Sequence, residues 1–106
     1  MRPLWVSLAL LFALNAASFA AELDQQRKTE LTYLVRQDCG SCHGMTLKGG
    51  LGSPLTPDRL ADEDTDALAA IILHGIPGKP MPPWHGLLNE SEALWIARAL
   101  QKGQIR

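Results

Sequence analysis

From residue 23 onward, apolar positions recur at helical spacing along this chain and are interrupted by two stretches rich in glycine and proline. Leu23, Leu31, Leu34 and Val35 stand among Asp24, Arg27, Lys28, Glu30 and Arg36, which predicts a helix over 23–35 that runs directly into residues 39–43. Residues 44–54 hold too many glycines for a regular element and read as a loop. Thr56-Pro57 is an N-cap followed by a first-turn proline, predicting a short helix to about Ala61. A further helix starts at Asp64 or Thr65, carries Leu68, Ile71 and Ile72 on one face, and stops at Gly75. Ile76 to Trp84 is extended, because Pro77, Pro80, Pro82 and Pro83 restrict it. Asn89-Glu90-Ser91-Glu92 reads as a capping box ahead of Ala93, Ile96, Ala97 and Leu100, so a last helix runs to about Lys102 and ends at Gly103. No long strands or internal repeats are visible, and the fold class is all-α.

The first twenty residues follow a different pattern. Arg2 supplies a positive start, Leu4 to Leu14 is mostly apolar, Asn15 ends the run, and Ser18-Phe19-Ala20 places small residues where a signal peptidase reads. We therefore expect a signal peptide over 1–20, cleavage after Ala20, and export to the periplasm. The alternative, an uncleaved anchor, needs about 20 apolar residues to span a bilayer. Residues 21–106 then form one small domain whose core is marginal without a staple. Without Arg2 the balance is Lys+Arg 9 against Asp+Glu 11, a net charge of −2, and no basic patch points to nucleic acid. The acids Asp58, Asp62, Glu63, Asp64 and Asp66 cluster around expected helix starts, where they favour the helix dipole and stay solvated. Steering of a basic partner is the other reading of that cluster.

Cys39-Gly40-Ser41-Cys42-His43 carries the chemistry. Two thiols three residues apart with a histidine directly after the second form the attachment pattern of a c-type haem. On one helical turn both thiols reach the vinyl groups of one haem edge, and the imidazole falls under the iron as proximal ligand. A zinc site would have to add His74 and His85, which are separated by ten residues where zinc histidines need three to five. A dithiol redox motif belongs at a helix start in a strand-rich fold, and no such pattern exists here. Haem c, attached through Cys39 and Cys42, is thus the expected cofactor and also the staple.

Met81 is the leading candidate for the opposite axial position. It is a soft thioether ligand, and Pro80 and Pro82 hold its backbone extended. His85, four residues further on, competes with it, and a second imidazole in place of methionine would lower the potential. Met45 lies two residues from His43 and stays on the proximal side. His74 reads as a helix C-terminal residue that favours the dipole. Trp84 and Leu87 are placed near the same pocket, with plain packing as the alternative. A haem enzyme or gas sensor would need an open or labile sixth position.

The haem motif, the glycine-rich loop with its proline, the helix, the Met-Pro segment and the terminal helix together resemble the monohaem class I cytochromes c. The resemblance covers nearly all of residues 21–106. It implies three to four helices wrapped around one haem, with the first and last crossing near Leu31, Val35, Ile96 and Leu100. It also implies that a loop proline carbonyl accepts a hydrogen bond from the proximal histidine, a role that Pro54 matches. Asp38 to Met45, Gly49 to Gly52, His74-Gly75 and Pro80 to Trp84 are further similar to the short cytochrome encoded beside the cytochrome cd nitrite reductase of denitrifying bacteria. That similarity implies an electron-transfer protein rather than an enzyme, expected to be monomeric, delivering electrons to the reductase. The runner-up it implies is a redox or maturation role in making the reductase's d-type haem.

Overall fold

The structure is a computed structural model and describes residues 22–106. The leader expected at 1–20 lies outside the described residues. Among the described residues no strand forms, and no helix is long and apolar enough to cross a membrane. Helix α1 (Gln25–Leu34) continues without a break through a π-helical turn (Val35–Cys39) into α2 (Gly40–His43). Three further helices follow: α3 (Pro57–Leu60), α4 (Thr65–His74) and α5 (Glu90–Gln101).

Local chemistry accounts for the helix ends. Asp24 caps α1 by accepting from the Arg27 amide at 2.8 Å, and Asp64 caps α4 by accepting from the Ala67 amide at 2.8 Å. Asp64 thereby resolves the choice left between Asp64 and Thr65. Pro57 opens α3, where its missing N–H costs nothing. Asn89 and Glu92 form the reciprocal capping box on α5, each side chain accepting from the other's backbone amide at 2.9 Å. Gly75 follows α4 with φ +68°, and Gly103 lies just beyond α5 with φ +69°.

The core forms where α5 packs on α4, α3 and α1. Leu31 and Val35 from the first helical segment meet Ala93, Ile96, Ala99 and Leu100 from α5, with Ala69 and Leu73 contributed by α4. This is the crossing of first and last helices expected from the resemblance. Ile105 and Leu47, both from segments outside the helices, are also fully buried.

One ion pair joins the two crossing helices at their N-terminal ends. The Arg27 guanidinium donates to the Glu92 carboxylate and also to Glu30 at 3.0 Å, and it reaches the Leu87 carbonyl at 3.5 Å. Glu92 is 7% exposed and is the buried charged residue of the core. Its carboxyl is held below the usual carboxylate range chiefly by the Arg27 guanidinium, which outweighs the opposing effect of burial, with the Asn89 amide helping less. A depressed value means that this stabilisation is complete above the unfolded carboxyl's ordinary value near 4.3 and fades as pH falls through the folded one. Glu92→Ala is expected to cost about 2–3 kcal/mol at neutral pH, since it removes a charge-assisted bond to Arg27, which keeps only Glu30 as an ion-pair partner, and half of the capping box. Denaturant titrations at pH 7 and pH 3 check this: the gap between parent and variant narrows at the lower pH.

Candidate functional site

The π-helical turn sets the site's orientation. At its end the Gly40 amide reaches back to the Val35 carbonyl, five residues away, so one extra residue enters the helix. An extra residue turns everything after it by about 100° relative to an uninterrupted α-helix. Gly40 is buried, Cys39 is half-buried, and Cys42 is exposed on the following turn. Both cysteines are free thiols. Burial, with the Asp38 carboxylate adding to it, pushes the Cys39 thiol up to about 11, so it stays protonated at neutral pH.

His43 ends α2, and the glycine-rich loop folds back over it. The Gly49 amide donates to the His43 carbonyl at 2.8 Å and the Gly52 amide to the Cys42 carbonyl at 2.7 Å, which satisfies carbonyls that the short helix leaves open. The same fold brings the Ser53 carbonyl to 2.7 Å from His43 Nδ1. A carbonyl only accepts, so Nδ1 carries the hydrogen and Nε2 keeps its lone pair for a metal. This corrects the expectation for Pro54. The acceptor is the carbonyl of Ser53, on the other side of the same imide bond, while the Pro54 ring stacks on Gly49 instead. The chain direction through the turn decides which of two adjacent carbonyls points at the ring, and residue identity does not encode that.

Gly52 is the residue on which this contact depends. A Cβ there would stand 2.6 Å from His43 Nδ1 and 2.7 Å from Cε1. Gly52 has no positive φ, so the requirement is for space alone.

The Met81 segment is locked onto the end of α4. The Ile76 amide donates to the Met81 carbonyl at 3.2 Å, closing a loop over 76–81. The Trp84 amide reaches the Ile72 and Leu73 carbonyls, and the His85 amide the Leu73 carbonyl, each at 3.1 Å. A Cβ on Gly75 would stand 2.5 Å from the Met81 carbonyl oxygen. Met81 and Trp84 are both half-buried, and Trp84 packs against the core. The rings of His74 and His85 lie 6.4 Å apart, centroid to centroid. Met45 is 60% exposed, and its sulfur lies on the Gly40 side.

These residues fit a covalently held haem. Two unpaired thiols sit on one turn, and next to them is an imidazole whose Nε2 is left available to a metal. Leu51 (96% exposed) in the glycine-rich loop, and Ile76 (40%) and Leu87 (64%) flanking the Met81 segment, present apolar surface of the kind a macrocycle covers. Among the described residues no group of three or more His, Cys, Asp or Glu side chains is placed to hold a metal ion, which disfavours zinc.

Comparison with known proteins agrees. The family described as Cytochrome C oxidase, cbb3-type, subunit III matches residues 26–98. Cytochrome c55X of Pseudomonas aeruginosa is 48% identical over 103 residues, covering 96% of this chain and 87% of that protein. The solved structure of the c-type cytochrome NirC superposes with a TM-score of 0.76 at 47% identity, covering 78% of this chain and 98% of that one. Dihydro-heme d1 dehydrogenase NirN in complex with DHE superposes with a TM-score of 0.59 at 33% identity; the match covers 65% of this chain but 15% of that one.

Proposed function

The chain belongs to the cytochrome c family, alongside cytochrome c55X, and we propose that it is an exported, periplasmic one-electron carrier with a single haem c. Cys39 and Cys42 are the attachment residues, His43 is the proximal ligand, oriented by the Ser53 carbonyl, and Met81 is the distal one, with Trp84 near the pocket. The observation that carries this reading is the His43–Ser53 contact, because a loop that fixes the imidazole by its Nδ1–H prepares Nε2 for a metal.

Haem supplies reversible one-electron chemistry between Fe(III) and Fe(II). The chain's part is to hold two ligands on backbones that do not rearrange. His43 is held by the Ser53 carbonyl, and Met81 by its bond to Ile76 and by close packing against Gly75. Such rigidity would hold the same two ligands on the metal in both oxidation states, as electron transfer requires.

The electron acceptor in this reading is the cytochrome cd nitrite reductase of denitrification. The similarity to cytochrome c55X and to NirC supports a place in that system. Mixing the reduced protein with oxidised reductase of the same organism tests it: haem oxidation is expected to keep pace with reductase turnover. Transfer much slower than turnover would overturn the donor role.

The similarity to a short part of dihydro-heme d1 dehydrogenase favours a second reading. Dehydrogenation of a dihydro-haem releases two electrons, and a one-electron carrier would accept them in two encounters. In that reading the protein serves maturation of the d-type haem.

A further inference from the structure

We propose that His74 and His85 form a surface site for one divalent copper ion at the neck of the loop that carries Met81. Their ring centroids lie 6.4 Å apart at an interplanar angle of 36°. With metal–nitrogen bonds of about 2.0–2.1 Å, two imidazoles sharing one ion have centroids on the order of 5–6.5 Å apart. The observed spacing lies at the upper end of that range, and both histidines are exposed.

The backbone fixes the pair before any ion arrives. His74 is the last residue of α4, and the amides of Trp84 and His85 donate to the Ile72 and Leu73 carbonyls one turn or less before it. The two histidines therefore leave the two sides of a loop whose ends are hydrogen-bonded together. Only side-chain torsions remain to be ordered on binding, which keeps the entropic cost low.

The electrostatics favour a cation. His74 stands at the helix C-terminus, the negative end of the α4 dipole. Asp66 and Glu90 line the same groove between α4 and α5 as His74. The ion class follows from the ligand count. Among the described residues no third His, Cys, Asp or Glu completes a cluster, so two protein nitrogens are supplemented by water. Structural zinc needs four ligands, whereas copper(II) stands highest in the divalent affinity order and binds well to imidazole.

The site is independent of the haem ligand assignment except that His85 cannot serve both metals. The test uses the ferric, haem-loaded protein titrated with copper(II) sulfate in a non-coordinating buffer. Calorimetry is expected to show one ion per chain, and the copper electron paramagnetic resonance signal should carry coupling to two nitrogens. His74→Ala and His85→Ala each weaken binding at least tenfold, and the double variant abolishes it. An unchanged haem absorption spectrum in each variant shows that the fold and the iron ligands are intact, so loss of copper binding reports on the site itself. No binding by the parent protein, or equal binding by the double variant, would overturn the proposal.

Discussion

Gly52→Ala is expected to raise the reduction potential of the haem-loaded protein and to lower its stability together. The added methyl would stand 2.6 Å from His43 Nδ1 and 2.7 Å from Cε1, closer than real side-chain carbons approach a ring. Either the imidazole or the loop must move, and both movements stretch the 2.7 Å bond to the Ser53 carbonyl. Overpacking of this kind costs about 1–3 kcal/mol, and the loss of one hydrogen bond adds about 1 kcal/mol. The potential responds because the Nδ1–H bond makes the imidazole a stronger base, which favours Fe(III); weakening the bond removes that preference. Potentiometric titration and denaturant unfolding of the same preparation measure both effects. Gly86→Ala is the control: a Cβ there has nothing within 4 Å and no positive φ to oppose it.

A second large effect is expected at Gly75, on the other side of the pocket. Two separate costs meet there. Its φ of +68° with ψ −170° lies in a region essentially reserved to glycine and costs a residue with a side chain about 1–3 kcal/mol. Its Cβ would also stand 2.5 Å from the Met81 carbonyl oxygen and 2.9 Å from the backbone of Pro82 and Pro83. These are backbone atoms of a segment that its prolines make stiff, so the segment has to shift as a body and take Met81 with it. Gly75→Ala is therefore expected to lose about 2–6 kcal/mol and to weaken any spectroscopic signature of methionine ligation. Gly78→Ala separates the two costs, because Gly78 has φ +74° but nothing within 4 Å of its Cβ. It should lose about 1–2 kcal/mol and leave the signature unchanged.

Neither glycine's role was legible beforehand. Gly75 read only as a helix stop, and Gly52 as one of several loop glycines. Helix ends, by contrast, were legible, because the chemistry that makes them is local. The reciprocal bonds of Asn89 and Glu92, the cap at Asp64 and the proline at the start of α3 each involve residues within four positions of one another. The core positions Leu31, Val35, Ile96 and Leu100 followed from periodicity, whereas on α4 the structure buries Ala69 and Leu73 in place of the expected Leu68, Ile71 and Ile72 face and leaves Ile71 exposed.

Features made across long distances in sequence were not legible. Arg27 and Glu92 are 65 positions apart, and although Glu92 reads as part of a capping box, nothing in the sequence pairs it with Arg27. Ile105 lies past the last helix and is nonetheless 2% exposed, since the tail folds back after Gly103. The π-helical turn before the cysteines has no compositional mark, yet it sets which way the attachment motif faces. The Ser53 carbonyl had to be found in the structure because main-chain groups have no residue identity. The motif Cys39 to His43, finally, was legible in full. Its chemistry requires side chains at fixed spacing on one helical turn, and spacing is what a sequence records.

Near-infrared absorption of the ferric protein, with Met81→Ala measured beside it, tests most directly whether a haem c is held between His43 and Met81. A methionine-to-iron charge-transfer band in the parent protein, abolished in the variant while the haem stays covalently attached on a denaturing gel, is the predicted result. A parent protein without the band, or a variant that keeps it, would contradict the ligand set.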